Sequence, residues 1–137
     1  MPGKKTGLQR TYQIGDSDGV ARYTGVTYGA TAGEVKKPTA DNAIPVGIVD
    51  NDERINDPLR AGGDQKGRDV AVQIGGYGAI KISGAVSYGD RLILATGGVA
   101  KKCPTAAGTY NIIGFAEEAG VDKDIIPVRM DYHVFTV

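Results

Sequence analysis

Apolar and polar positions alternate with a period of two along much of this chain. Val70, Val72 and Ile74 are separated by Ala71 and Gln73, and Ile80 and Ile82 by Lys81. This is the pattern of a strand with one buried face. Leu92, Ile93 and Leu94 run together without a polar break, as in a strand covered on both faces. Such short runs recur at intervals of about eight to twelve residues, punctuated by Gly, Asp, Asn and Pro. The spacing predicts strands near Val20–Tyr28, Ala43–Val49, Asp69–Ile74, Gly78–Ile82, Arg91–Ala95, Gly98–Lys102, Tyr110–Glu117, Ile125–Met130 and Tyr132–Val137. No segment keeps a helical period, so the expected fold is all-β, a small barrel or sandwich. Gly97-Gly98 reads as a tight hairpin turn, because glycine reaches positive φ without steric penalty.

The strands are written twice. Val26-Thr27-Tyr28-Gly29 matches Val86-Ser87-Tyr88-Gly89, and Val35-Lys36-Lys37-Pro38-Thr39-Ala40 matches the stretch from Val99 to Ala106 with a two-residue insertion. Ile44-Pro45-Val46-Gly47-Ile48 aligns with Asn111-Ile112-Ile113-Gly114-Phe115, and the run from Asp69 to Ile74 with that from Asp124 to Met130. The order of the four matches is preserved. Two units are too few for a solenoid, which needs three or more to bury its faces, so the repeat implies a pseudo-twofold barrel or sandwich. The expected organisation is a single β domain over 20–137, with half-repeats at about 20–75 and 78–137. Ahead of it, residues 1–19 read as an extended N-terminal arm that ends in the turn-like Asp16-Ser17-Asp18-Gly19. The largest departure from the repeat is an inserted loop over 54–67, rich in Asp, Asn, Gly and Pro.

Glycine is the one outlier in composition, at 21 of 137 residues, and with no Trp it favours turn-linked strands over helical bundles. Sixteen basic residues are balanced by sixteen acidic ones, which argues against a nucleic-acid partner, since displacing phosphate counterions needs clustered Lys and Arg. No apolar run approaches the roughly 20 residues of a membrane-spanning helix. The Met-Pro-Gly-Lys-Lys start lacks the apolar stretch of a secretory signal, so synthesis in a cytoplasm is expected. One cysteine, Cys103, allows neither an internal disulfide nor a cysteine-based zinc site.

Little in the sequence points to catalysis, and no enzyme activity, cofactor or metal is expected. His133, the single histidine, lies in a strand pattern without a nucleophile motif around it. Cys103 sits beside Lys102, whose charge could lower a thiol pKa, yet the matching half carries no cysteine. Asp16-Ser17-Asp18-Gly19 resembles the opening of a calcium loop without its later ligands, and Asp50, Asp52, Glu53 and Asp57 form an acidic group that reads as a solvated loop. Gly75-Gly76-Tyr77-Gly78 precedes no helix and is not a phosphate loop.

The run from Ala43 to Val128 resembles the capsid cement, or head decoration, proteins of tailed phages. The likeness rests on Val46-Gly47-Ile48-Val49, the strand pair from Val70 to Ile82, the turn from Gly84 to Asp90 leading into Arg91-Leu92-Ile93-Leu94, then Ile113-Gly114-Phe115-Ala116 and Ile126-Pro127-Val128. The resemblance implies a structural protein on the outer surface of the expanded head, bound to the major capsid protein as a homo-oligomer, a trimer before a dimer. Shell contacts are then expected outside the repeated core: Lys4, Lys5, Leu8, Arg10 and Tyr12 of the arm, and Arg54, Ile55, Leu59 and Arg60 of the loop. All of these are basic or apolar side chains. The competing reading is a glycan- or receptor-binding β module using Tyr23, Tyr28, Tyr77 and Tyr88. A trimeric nucleotide hydrolase ranks lower. Gly62–Ile80 superficially resembles the glycine-rich motifs of trimeric dUTPases, but that family's ordered acidic, serine and Arg-Gly-rich motifs are missing.

Overall fold

The computed structural model describes residues 8–51, 53–55 and 63–137. Of the twelve strands among these residues, ten are arranged as the same five-strand unit used twice. In the first unit, β1 (Gln9–Ile14), β3 (Thr24–Tyr28), β4 (Glu34–Lys36), β5 (Pro45–Val49) and β7 (Asp69–Gln73) close into a barrel in the order β1-β4-β3-β5-β7. A short ribbon of β2 (Gly19–Val20) and β6 (Arg54–Ile55) lies beside it. In the second unit, β8 (Gly76–Lys81), β9 (Arg91–Leu94), β10 (Ala100–Lys102), β11 (Thr109–Ala116) and β12 (Ile125–Thr136) form a sheet in the order β10-β9-β11-β12-β8. A parallel bridge between Ile82 and Ala100 draws the ends of this sheet together.

Strand register is the same in the two units. Val26 lies opposite Gly47 and Thr27 opposite Pro45, while Leu92 lies opposite Gly114 and Ile93 opposite Ile112. In each unit the ladder slips by one residue at this point, leaving Val46 and Ile113 as the extra residues of a bulge. The parallel seam also repeats: the Gly15 N–H bonds Val35 O at 2.8 Å, and the Ser83 N–H bonds Ala100 O at 2.8 Å. Three of the four sequence matches therefore mark equivalent positions, to within a residue. The fourth does not, because β3 corresponds to β9, whereas Val86–Gly89 is the turn before β9, where Val86 bridges to Gly120.

The arm expected over residues 1–19 does not extend through Gln9–Ile14. Gln9–Ile14 forms a full barrel strand, antiparallel to β7 and parallel to β4. Its pattern misleads because, apart from Ile14 and the partly buried Tyr12, every side chain is exposed, so the strand looks like polar linker. Two further boundaries move. Tyr23, at φ 65°, breaks the run expected over Val20–Tyr28, and Ile125–Thr136 is one continuous strand rather than two.

Each unit has its own core. Ile14, Val20, Val26, Val35, Val49, Val70 and Val72 fill the first, and Ile80, Ile82, Leu92, Leu94, Ile113, Ile126 and Val128 fill much of the second, joined there by Ile48 from the first unit. The apolar run of β9 is covered on both sides: Leu92 and Leu94 point into the second core and Ile93 into a small outer cluster with Cys103 and Ile112. Between β9 and β10 the chain turns at Gly97 and Gly98, both at positive φ (85° and 93°), as the glycine pair predicts.

The two units are clasped by polar groups that water would otherwise contest. Asn42, held at φ 66°, donates its N–H to Leu94 O and its Nδ2 to Thr109 O, and accepts from the Asn111 N–H at 2.7 Å and from Asn111 Nδ2 at 3.1 Å. The buried carboxylate of Asp50 accepts the Ala79 N–H at 3.0 Å, and the Lys81 N–H bonds Tyr23 O at 2.8 Å. Polar groups paired in this way fix orientation, since any sliding would leave them unpaired.

Candidate docking surfaces

The proposed contact residues separate once they are placed. Lys4, Lys5, Leu59 and Arg60 lie outside the described residues, as do Asp52 and Asp57 of the acidic group. Leu8 is 69% exposed where the chain enters β1, and its carbonyl accepts the Ile74 N–H. Arg10 is exposed on β1, with its guanidinium 5.1 Å from the centre of the Tyr12 ring. Tyr12 packs against the first core, so its ring is spent on the barrel and only Arg10 and Leu8 stand out. Arg54 lies opposite Val20 and Ile55 opposite Gly19 in the β2–β6 ribbon, which ties the inserted loop to the chain after β1. The loop's return is held by Gln65, whose side chain is buried and whose N–H bonds Ser17 O at 2.8 Å.

The residues weighed for chemistry take structural positions. Asp16 Oδ2 accepts the Lys37 N–H at 2.7 Å and its carbonyl accepts the Gly19 N–H, so Asp16-Ser17-Asp18-Gly19 is a turn pinned to the Lys37 backbone. Lys37 also pairs with Asp18, and Lys101 with Asp41, which further accepts the Thr96 N–H. The hydrogen bond from each lysine holds its carboxylate below the ordinary value. Glu53 accepts the Arg22 N–H at 3.2 Å, and Asp50 serves the contact between units described above. Among the described residues, no three His, Cys, Asp or Glu side chains gather as a metal site would require. Cys103 is buried in the outer cluster, and burial raises its thiol pKa against the smaller pull of the Arg91 charge. A buried, protonated thiol is a poor nucleophile.

One surface feature has no counterpart in the sequence reading. On the outer face of β9, β11 and β12, Arg91 lies over the Phe135 ring at 3.9 Å and the Phe115 ring at 5.5 Å. Arg129 covers Phe115 at 4.8 Å, and His133 stacks on it with centroids 5.5 Å apart. The Arg91 Nε donates to His133 Nε2 at 3.3 Å. Cation–π contacts of this kind stiffen side chains that would otherwise wave in solvent. The shelf follows from register, since Phe115 lies opposite Arg91 on one side and Arg129 on the other. Nothing in the linear order of these residues brings them together. The tyrosines considered for sugar stacking are dispersed: Tyr28, Tyr77 and Tyr88 are exposed on three separate elements, and Tyr23 lies under the Arg22 guanidinium at 4.6 Å.

The strands and their pairing thus define a tandem of two five-strand β units. Compared with solved structures, the fold is similar to the head fiber gp8.5 N base of bacteriophage phi29, with a TM-score of 0.61 at 16% sequence identity, covering 90% of this chain and 93% of that one. The sequence matches no protein-family model and no curated protein.

Proposed function

We propose that this chain is a structural, head-associated protein of a tailed phage that sits on the outer surface of the capsid and cements the expanded shell. The likeness in fold to the phi29 head fiber base carries the reading, because it spans nearly the whole of both chains rather than one shared motif. The placement of the ionisable groups is in keeping with a non-enzymatic role: they serve turns, strand ends and the contact between units. The partner is the major capsid protein, and the mechanism is clamping. Each copy bridges neighbouring shell subunits, so modest single contacts combine through effective concentration. Binding that favours the expanded lattice then stabilises that lattice by mass action.

Within this reading, Leu8 and Arg10 are the described contact candidates at the start of the chain, continuing Lys4 and Lys5. Arg54 and Ile55 carry the loop that includes Leu59 and Arg60. The deletion that tests the N-terminal contact has to stop before Gln9, since β1 closes the first barrel. Cosedimentation with expanded and unexpanded heads is the decisive measurement. Full-length chain should pellet with expanded heads, and chain lacking residues 1–7 should pellet less. Equal binding to both lattices, or none, sinks the cement role, and binding to a glycan array without cosedimentation moves the chain to the glycan- or receptor-binding reading. Copy number in purified particles separates cement, near one per capsid subunit or small cluster, from a component of a single vertex.

A further inference from the structure

Among the described residues, the last half of β12 is an open sheet edge. From Ile125 to Met130 the strand lies between β11 and β8, but β8 begins at Gly76, opposite Met130. Beyond that point, among the described residues, only β11 remains, pairing from Ile112 opposite His133 to Thr109 opposite Thr136. Backbone groups in an antiparallel strand alternate between its two neighbours. Gly108 and Val137 exchange both hydrogen bonds, and the Pro127 carbonyl accepts the Glu117 N–H, so odd-numbered residues serve the β11 side. The N–H and C=O groups of Tyr132, Val134 and Thr136 therefore point the other way, in line with those of Ile126, Val128 and Met130 that β8 satisfies. Their side chains share one face, where Tyr132 and Val134 are 52% and 56% exposed.

Proteins blunt exposed edges with Lys, Pro, bulges or covering loops. From Asp131 to Val137 there is no Lys, Arg or Pro, and the segment is rich in aromatic and β-branched residues. The other edges are closed or short among the described residues. The first barrel is continuous, β10 has three residues including Lys101 and Lys102, and β8 donates the Ala79 and Lys81 N–H groups to the first unit.

We propose that this edge is an interface between two copies of the chain, which pair antiparallel about a two-fold axis at Val134. In that register Val134 faces Val134, and Tyr132 faces Thr136 on each side. All are outward-pointing residues, so the three pairs form roughly six backbone hydrogen bonds. The side chains meet as an aromatic on a β-branched residue and as two β-branched residues, the favourable cross-strand types. Asp131 lies opposite Val137, so no like charges meet across the strands. The neighbour's Thr136 stops at Tyr132, two residues short of the Met130 position where β8 takes over, so the added strand fills the vacancy without displacing β8. An isologous pair needs only this one edge, whereas a three-fold ring would need a second open edge of similar length, and the described residues offer none. The two-fold pair thus takes precedence over the trimer implied by resemblance, and it rests on no part of the head-binding proposal.

Sedimentation velocity over a concentration series tests it. The wild-type chain should show a reversible monomer–dimer equilibrium. Val134→Lys sets like charges across the axis, and Val134→Pro removes a donor that points away from β11. Each should raise the dimer dissociation constant by at least about tenfold, with an unchanged far-ultraviolet circular dichroism spectrum. Tyr88→Lys, a substitution of an equally exposed ring elsewhere, should leave the dimer intact. A wild-type chain that stays monomeric at every concentration overturns the proposal. So does an oligomer of any size whose dissociation constant Val134→Lys leaves unchanged.

Discussion

Substituting Gly114 by alanine is the most direct probe of how the repeated unit is built. Gly114 stands at the β11 bulge with strands on both sides, and a Cβ there would lie 2.2 Å from Arg129 O and 3.0 Å from Val128 Cγ1. Carbon contacts are most favourable at about 3.5–4.0 Å, so β11 and β12 would have to part by roughly 1 Å. Overpacking of this kind costs about 1–3 kcal/mol and occasionally more. The upper part of that range applies, because the colliding atom is a main-chain carbonyl fixed in the ladder rather than a mobile side-chain end. Opposing it, removing glycine's freedom in the unfolded chain stabilises by about 0.4–1 kcal/mol. The net loss is about 1–2.5 kcal/mol, a drop in Tm of roughly 4–10 °C for a domain of this size. Gly47 occupies the equivalent place in the first unit, with a Cβ that would lie 2.3 Å from Gln73 O, and Gly47→Ala should cost a similar amount. Gly75 is the control, since a Cβ there meets nothing within 4 Å, and Gly75→Ala should be neutral or slightly stabilising. Thermal and urea denaturation of the three variants reads the difference directly. If Gly114→Ala melts with Gly75→Ala, the close approach of strands at the bulge is not what requires glycine there.

Three other perturbations follow from the same geometry. Asn42→Ala removes a side chain that both donates and accepts across the contact between units and leaves alanine at positive φ. It should lower stability by about 2–4 kcal/mol, measurable by urea denaturation, and a loss below about 0.5 kcal/mol would show that the clasp is dispensable. Asp41 and Asp18 have depressed pKa values in the folded chain, so their contribution is present above the ordinary carboxylate range near pH 4 and is lost as pH falls through the folded values. Both are well exposed, so each is worth less than about 1 kcal/mol, and Asp41→Asn should flatten the acid limb of the stability–pH curve while leaving pH 7 stability within that amount. Cys103, buried and with a raised thiol pKa, should react with a thiol-directed reagent at least about tenfold more slowly in the folded chain than in urea; equal rates would mean that the outer cluster opens freely.

Much of this architecture is legible along the chain, for a physical reason. A half-buried strand has to alternate, and a turn has to supply glycine where φ is positive. Val70 to Ile82, the run Leu92-Ile93-Leu94 and the turn at Gly97-Gly98 could therefore be read directly. The repeat could be read as well, because the bulge glycines and the Lys-Lys strands recur in order. Where local chemistry is permissive, it decided nothing. Gln9–Ile14 becomes a barrel strand only because β4 and β7 offer their edges to it, and Val86–Gly89 shares a tetrapeptide with β3 without sharing its place. The shelf of Arg91, Phe115, Phe135 and His133, and the open edge at Val134, depend on which strands neighbour which. Alternation along a strand reports burial, but pairing between strands far apart in sequence is settled by closing the sheet, and only the tertiary structure contains that closure.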